Sequence, residues 1–373
     1  MPRFKVAFKS VHSLFSLGLI AGLSLTQALS TDASAGQDLR FIAGPNVSKT
    51  LIAERRQLLN SVSERVIAPY LLLPPSITVT VPATLDASFC MNETLTHFEI
   101  TVPAQMSIKG AKPKNPVLTD TVLEHEYGHA VLQYNLMQSS AFRSAFPKYM
   151  KGYQVRALLF PLQDQRAALE EQIRMLNTKP DATPADLAQM QAIQNKVDHL
   201  DAKLDALADQ FKPYADEFQT IENMLGDYHE FFADIVSVIY SQNPKVLWQA
   251  LYTPQYKSLL RDDKKKLAEL LQGFTLRRFD KGLRVETYSQ TEIHVSLSPT
   301  RAYLWKYYIS NPLYKHRESR FLKTLQETIL QEVTERSRQR DLIDLDPEVL
   351  NKRFMAKIDQ NFPKIAQPII GGH

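Results

Sequence analysis

Cysteine is almost missing: Cys90 stands alone among 373 residues. No internal disulfide can form, so an exported chain of this kind must be held together by its core. Beyond position 35 there is no run of 18 consecutive apolar residues, which excludes an ordinary membrane-spanning helix there and predicts a soluble mature protein. There is no internal repeat and no low-complexity tract. The formal charge is only +4, and the cluster Lys264-Lys265-Lys266 follows Asp262-Asp263 like the solvated face of a helix. Neither nucleic acid nor a membrane surface is implied as a partner.

The length allows one large domain or two smaller ones. Hydrophobic residues at 44% and charged residues at 23% are ordinary for a folded protein. Residues 1–35 differ from the rest. Arg3, Lys5 and Lys9 precede the apolar run from Leu14 to Leu25, and small residues end at Ala33-Ser34-Ala35. That order describes a cleavable secretory signal, with a second cleavage point after Ser30 and an uncleaved anchor as the other readings. Three positive charges and Asp32 leave with the segment, so +4 becomes +2. The expected location is periplasmic or extracellular.

Four regions follow from the patterning: the signal (1–35), a mixed region (36–150), a helical hairpin (151–212) and a largely helical remainder (213–373). Apolar spacing from Ser48 to Ala68 predicts an amphipathic helix. Ile77, Val79 and Val81 alternate with Thr78 and Thr80, and Phe98, Ile100 and Val102 repeat the pattern, predicting strands. A further strand and a turn at Asn92 are expected between them. After the loop 109–116, residues from about Val117 to Leu136 read as helix. Leu162, Leu169, Ile173 and Leu176, answered by Ile193, Val197, Leu200, Leu204, Leu207 and Phe211, give an antiparallel helical hairpin. Its return arm opens with Thr183 as N-cap and Pro184 at the first helical position. The hairpin is read as a structural arm, with a protein-binding surface as the alternative. Breaks are expected at Asn243-Pro244, across Gly273 to Arg284, at Ser298-Pro299, Asn311-Pro312 and Asp346-Pro347, and a short strand within residues 284–297. The fold class is α+β, predominantly helical, with a small mixed sheet.

One motif carries chemistry. His125-Glu126-Tyr127-Gly128-His129 places two histidines four residues apart on one helix face, able to direct ring nitrogens at a single ion. Glu126 projects about 100° round the helix, near enough to act on a water without ligating the ion. Val122, His125, His129, Leu132 and Leu136 share a stripe, so both histidines are buried. Desolvating two imidazoles without a shared partner is costly, which favours a metal site over core histidines.

A catalytic zinc needs a third protein ligand. A histidine six residues after His129 would serve, but that position is Asn135. Downstream, Glu230-Phe231-Phe232-Ala233-Asp234 puts two carboxylates four apart. Taken together, HEYGH and EFFAD make the chain resemble the gluzincin class of zinc metallopeptidases, which includes the thermolysin-like enzymes. The resemblance implies a zincin-like core of helix, sheet, HExxH helix and glutamate-bearing helix, into which the hairpin is inserted. It implies Glu230 as third ligand to Zn2+, and Asp234 as hydrogen-bond acceptor for the far nitrogen of His125. A capping-box role for Glu230 with Asp227, His229 as a rival ligand, and Asp234 as a direct ligand remain open readings. In such enzymes a later His, Tyr or Arg steadies the oxyanion; His294 and Arg301 are the preferred pair, with Tyr303 and Tyr307 nearby. Strand 96–102 would be the sheet edge that aligns an extended peptide. The expected function is a secreted zinc peptidase acting on peptide or protein, with Glu126 as general base. A catalytically silent scaffold that binds a partner, and a zinc hydrolase of other amides or esters, are the alternatives.

Overall fold

The computed structural model describes residues 37–68, 71–83, 87–92, 94–105, 117–179, 181, 183–252, 263, 265, 277–282, 293–311, 318–339 and 346–362. The signal segment, the loop at 109–116 and most of the expected strand after Arg284 lie outside them. The described residues are mostly helical, with one small mixed sheet. No described helix is long and apolar enough to cross a membrane. They form two compact units: one is Leu158–Gln210, the other holds the described parts of 30–157 and 211–373.

In the larger unit, Ser48 caps α1 (Lys49–Val62) by accepting the Leu51 N–H at 3.1 Å. A π-turn at Ser63–Ile67 extends it. Four strands follow the order β1-β2-β4-β3: β1 (Asp38–Ala43), β2 (Ser76–Val81), β4 (His97–Thr101) and β3 (Ser88–Met91). The first three are parallel, whereas β3 runs antiparallel to β4. Ile77, Val79, Val81, Phe98 and Ile100 are buried, as their alternation requires. Asn92 makes the β3–β4 turn, its side-chain oxygen accepting from the Thr96 and His97 N–H groups. Strand β1 is unforeseen, because only Leu39 of its six residues is buried and no two-faced pattern shows.

This order corrects one expectation. Strand β4, read as the sheet edge, is paired on both sides, and the edge beside it is β3. A short interior strand and a short edge strand look alike in sequence when both alternate.

Helix α2 (Val117–Gln138) carries HEYGH. Short α3 (Ser140–Ala145) leads into α4 (Pro147–Asn177), and α5 (Pro184–Phe211) precedes α6 (Ala215–Ser241). Helix α6 starts well before Asp227, so Asp227 and Glu230 are interior positions and the capping-box reading of Glu230 fails. Gln242 in the left-handed region ends α6, and α7 (Val246–Leu251) follows the Asn243-Pro244 break. Later come α8 (Ile293–Ser296), α9 (Ser298–Leu304), α10 (Glu318–Gln339) and α11 (Pro347–Asn361). Residues 293–296 are thus helix where a strand was expected.

Within the smaller unit, Leu176, Ile193, Val197 and Leu200 are buried along the seam of α4 and α5. Thr183 Oγ1 accepts the Asp186 N–H at 3.2 Å while Asp186 accepts the Thr183 N–H at 3.0 Å, a reciprocal cap.

The contact that positions the site is α2 against α6. A Cβ built on Gly128 would lie 2.8 Å from the Cα of Ala233 and 3.3 Å from Val236 Cγ2. Only glycine allows this approach, since backbone cannot retreat as a side-chain tip can. Gly128→Ala is expected to cost about 1–3 kcal/mol in denaturant unfolding, and to weaken metal binding in the same protein. Retention of both would show that the helices tolerate separation.

Candidate metal centre

His125 and His129 lie one turn apart on α2, 6% and 4% exposed, and Glu230 faces them from α6. Their ligand atoms converge. The two Nε2 atoms are 2.9 Å apart, His125 Nε2 is 3.4 Å from Glu230 Oε2, and His129 Nε2 is 3.5 Å from Glu230 Oε1. Tetrahedral coordination at about 2.0–2.1 Å separates ligand atoms by roughly 3.3 Å. The three residues form a group able to hold a metal ion, with donors of the borderline kind that suit transition metals.

Asp234 lies one turn beyond Glu230, fully buried. Its Oδ1 is 3.1 Å from His125 Nδ1, so the far nitrogen is partnered and Nε2 is left to face the cluster. Arg301 reaches the same carboxylate, with Nε and Nη2 at 2.9 and 2.8 Å from Oδ2. Asp234 is therefore a hub rather than a direct ligand. Burial alone would raise its pKa, but Arg277 and Arg301 hold it well below the usual carboxylate range.

Arg301 is itself fully buried and reaches the ligand group through Asp234. His294 does lie at the centre. Its Nε2 is 3.5 Å from Glu230 Oε2 and its side chain is 37% exposed. Tyr303 is turned away, donating to Asp359 at 2.6 Å, and Tyr307 is exposed. His229 joins a ring stack instead of the ligand group: its ring is 5.8 Å from that of His129. Asn135, at the position where another motif would place a histidine, is structural. Its amide spans the backbone of Leu72, accepting from the N–H at 3.1 Å and donating to the C=O at 2.9 Å.

Glu126 is 8% exposed and is not among the three convergent ligands. Burial pushes its carboxyl up to about 7, opposed by His125 and assisted by Glu230. Burial likewise depresses His129, whereas the carboxylates of Asp234 and Glu230 overcome burial and Arg277 to raise His125.

Two residues escaped the sequence reading. Phe89 on the edge strand β3 stacks on His129, rings 4.8 Å apart and 3° from parallel. Arg277 places Nη2 at 2.8 Å from Glu230 Oε2 and 2.6 Å from Asp234 Oδ1. No spacing rule links a loop arginine to HEYGH; the sole hint was the Arg277-Arg278 pair, read only as part of a helix break.

Comparison with protein-family models, curated proteins and solved structures returned no match.

Asp234→Ala would leave two buried guanidiniums with a lost partner. It is expected to destabilise the protein by about 3–5 kcal/mol in denaturant unfolding. Metal affinity, measured by chelator competition, should drop about 10–100-fold as His125 loses its anchor.

Proposed function

We propose that this chain is an exported zinc-dependent metallopeptidase of the gluzincin type. The supporting observation is the convergence of His125, His129 and Glu230 within ligand distances, with Glu126 beside them and outside the set. Two imidazoles and one carboxylate are a common catalytic zinc set, which leaves a position for water. Zinc held there would supply Lewis acidity and lower the pKa of a bound water towards about 7.

The chain's own residues carry the proton. Glu126 takes it from the attacking water and delivers it to the leaving amine of the peptide. His294, whose Nε2 is 3.5 Å from Glu230 Oε2, would donate to the oxyanion as the carbonyl becomes tetrahedral. Asp234 orients His125, and Arg301 acts through Asp234 as a positioning residue. Strand β3 offers a sheet edge to an extended peptide, with Phe89 between that edge and His129. The basic head and short apolar run before Ala35 support export.

Purified protein is expected to contain about one zinc per chain and to cleave unstructured peptides. A chelator should abolish cleavage and added zinc should restore it. Glu126→Gln is expected to keep the zinc and lower kcat by at least about 10²-fold. A protein that neither contains zinc nor gains it on reconstitution sinks the proposal. A zinc protein whose Glu126→Gln form hydrolyses peptides normally sinks the role of Glu126.

A further inference from the structure

Arg277 is not needed by the chemistry above, yet it is the most tightly engaged side chain at the centre. Its Nη2 bridges Glu230 Oε2 at 2.8 Å and Asp234 Oδ1 at 2.6 Å, and its Nε lies 3.1 Å from Asp234 Oδ1. The same Nη2 is 3.1 Å from His125 Nε2 and 3.2 Å from Nδ1. A guanidinium therefore touches two of the three ligand residues, including the Glu230 oxygen that lies 3.4 Å from His125 Nε2.

The contact is built into the backbone. Arg277 adopts φ 53°, a left-handed conformation that L-residues other than Asn and Asp seldom take. The next two residues anchor it. Arg278 pairs with Asp280 at 2.6 Å and lies 5.1 Å over the Trp248 ring. Phe279 is fully buried, and its N–H donates to the Pro244 C=O at 2.8 Å. The backbone at 277 is thus held from the side of Arg278 and Phe279, and rotation of the Arg277 side chain is enough to release Glu230. The two contacts can also separate: Nε can remain on Asp234 while Nη2 leaves Glu230.

Resting on the zinc-site reading, we infer that Arg277 is an internal cation that competes with the metal for Glu230 and sets the metal affinity of the centre. A fixed positive charge within a few ångströms opposes entry of a divalent ion, and the screening that would weaken this in water is missing in a buried site. Its pairing with Glu230 must be given up, at least in part, for that carboxylate to bind metal. In return, Arg277 balances the buried carboxylate of Asp234 and the partly buried one of Glu230, which would otherwise repel each other in the metal-free protein.

The test measures metal binding and stability rather than turnover. Zinc affinity is determined by competition with a chromophoric chelator for wild type and Arg277→Met, and thermal unfolding is followed with and without zinc. Arg277→Met is expected to bind zinc at least about tenfold more tightly. Its metal-free form should melt lower than wild type and gain more on zinc addition. Unchanged or weaker zinc affinity in Arg277→Met overturns the competition, making Arg277 a holder of Glu230 instead. Should Arg277→Met fail to fold, Arg277→Lys is read the same way, because one ammonium cannot reproduce the bridge. Tighter binding supports the inference, and equal or weaker binding overturns it. If no form takes up zinc, the metallopeptidase reading falls as well, which separates the two failures.

Discussion

Everything at the centre depends on how closely two helices can lie. Gly128 sits between the histidines of α2, and the backbone of α6 at Ala233 passes where its side chain would be. That approach puts Glu230 and Asp234, on either side of Ala233 in sequence, opposite His125 and His129. One small residue in each motif thus does what no ligand can do for itself. HEYGH and EFFAD are two halves of a single packing interface as much as two halves of a ligand set. Ser237 extends the contact, its hydroxyl donating to the Thr121 C=O at 3.2 Å.

Close packing brings a charge problem. Asp234 is buried and Glu230 partly buried one helical turn away, and two bare carboxylates could not both stay ionised there. Arg277 and Arg301 answer this from two different segments, one a left-handed loop residue and the other on α9. Removing water makes each of these pairings stronger and each missing partner more expensive. The arginines therefore tie the late part of the chain to the two central helices. Glu126 is buried nearby, but no guanidinium among the described residues pairs with it. Its carboxyl is accordingly raised by burial while its neighbours are lowered by charge. The contrast divides the acids by environment, although all three are ordinary carboxylates in sequence.

The legible part of the site was the part written in helical periodicity. The spacing of four paired His125 with His129 and Glu230 with Asp234, and the resemblance to the gluzincin pattern joined the two pairs; the three convergent residues are among these four. Strand alternation likewise gave β2 and β4. What stayed hidden was anything set by tertiary placement alone. Arg277 reaches Glu230 across 47 residues, through a loop whose left-handed turn has no glycine to announce it. Arg301 stood in the right segment, but its burial against Asp234 could not be read from a helix start. The edge of the sheet was misjudged because pairing order is not local, so the aromatic that meets His129 comes from β3 rather than β4.

The two histidines are held by different physics. His125 has a carboxylate on its far nitrogen, which fixes both its tautomer and its tilt. His129 Nδ1 has no hydrogen-bond partner among the described residues. Its ring is confined instead by Phe89 on one side of the stack and His229 nearby. Stacking defines the plane of a ring but leaves it freer to turn within that plane than a hydrogen bond does. The centre therefore pairs one rigid ligand, anchored to the arginine network, with one guided by packing against the edge strand. Among the described residues β3 is the last strand on its side of the sheet, so Phe89 joins that strand to the ring of His129.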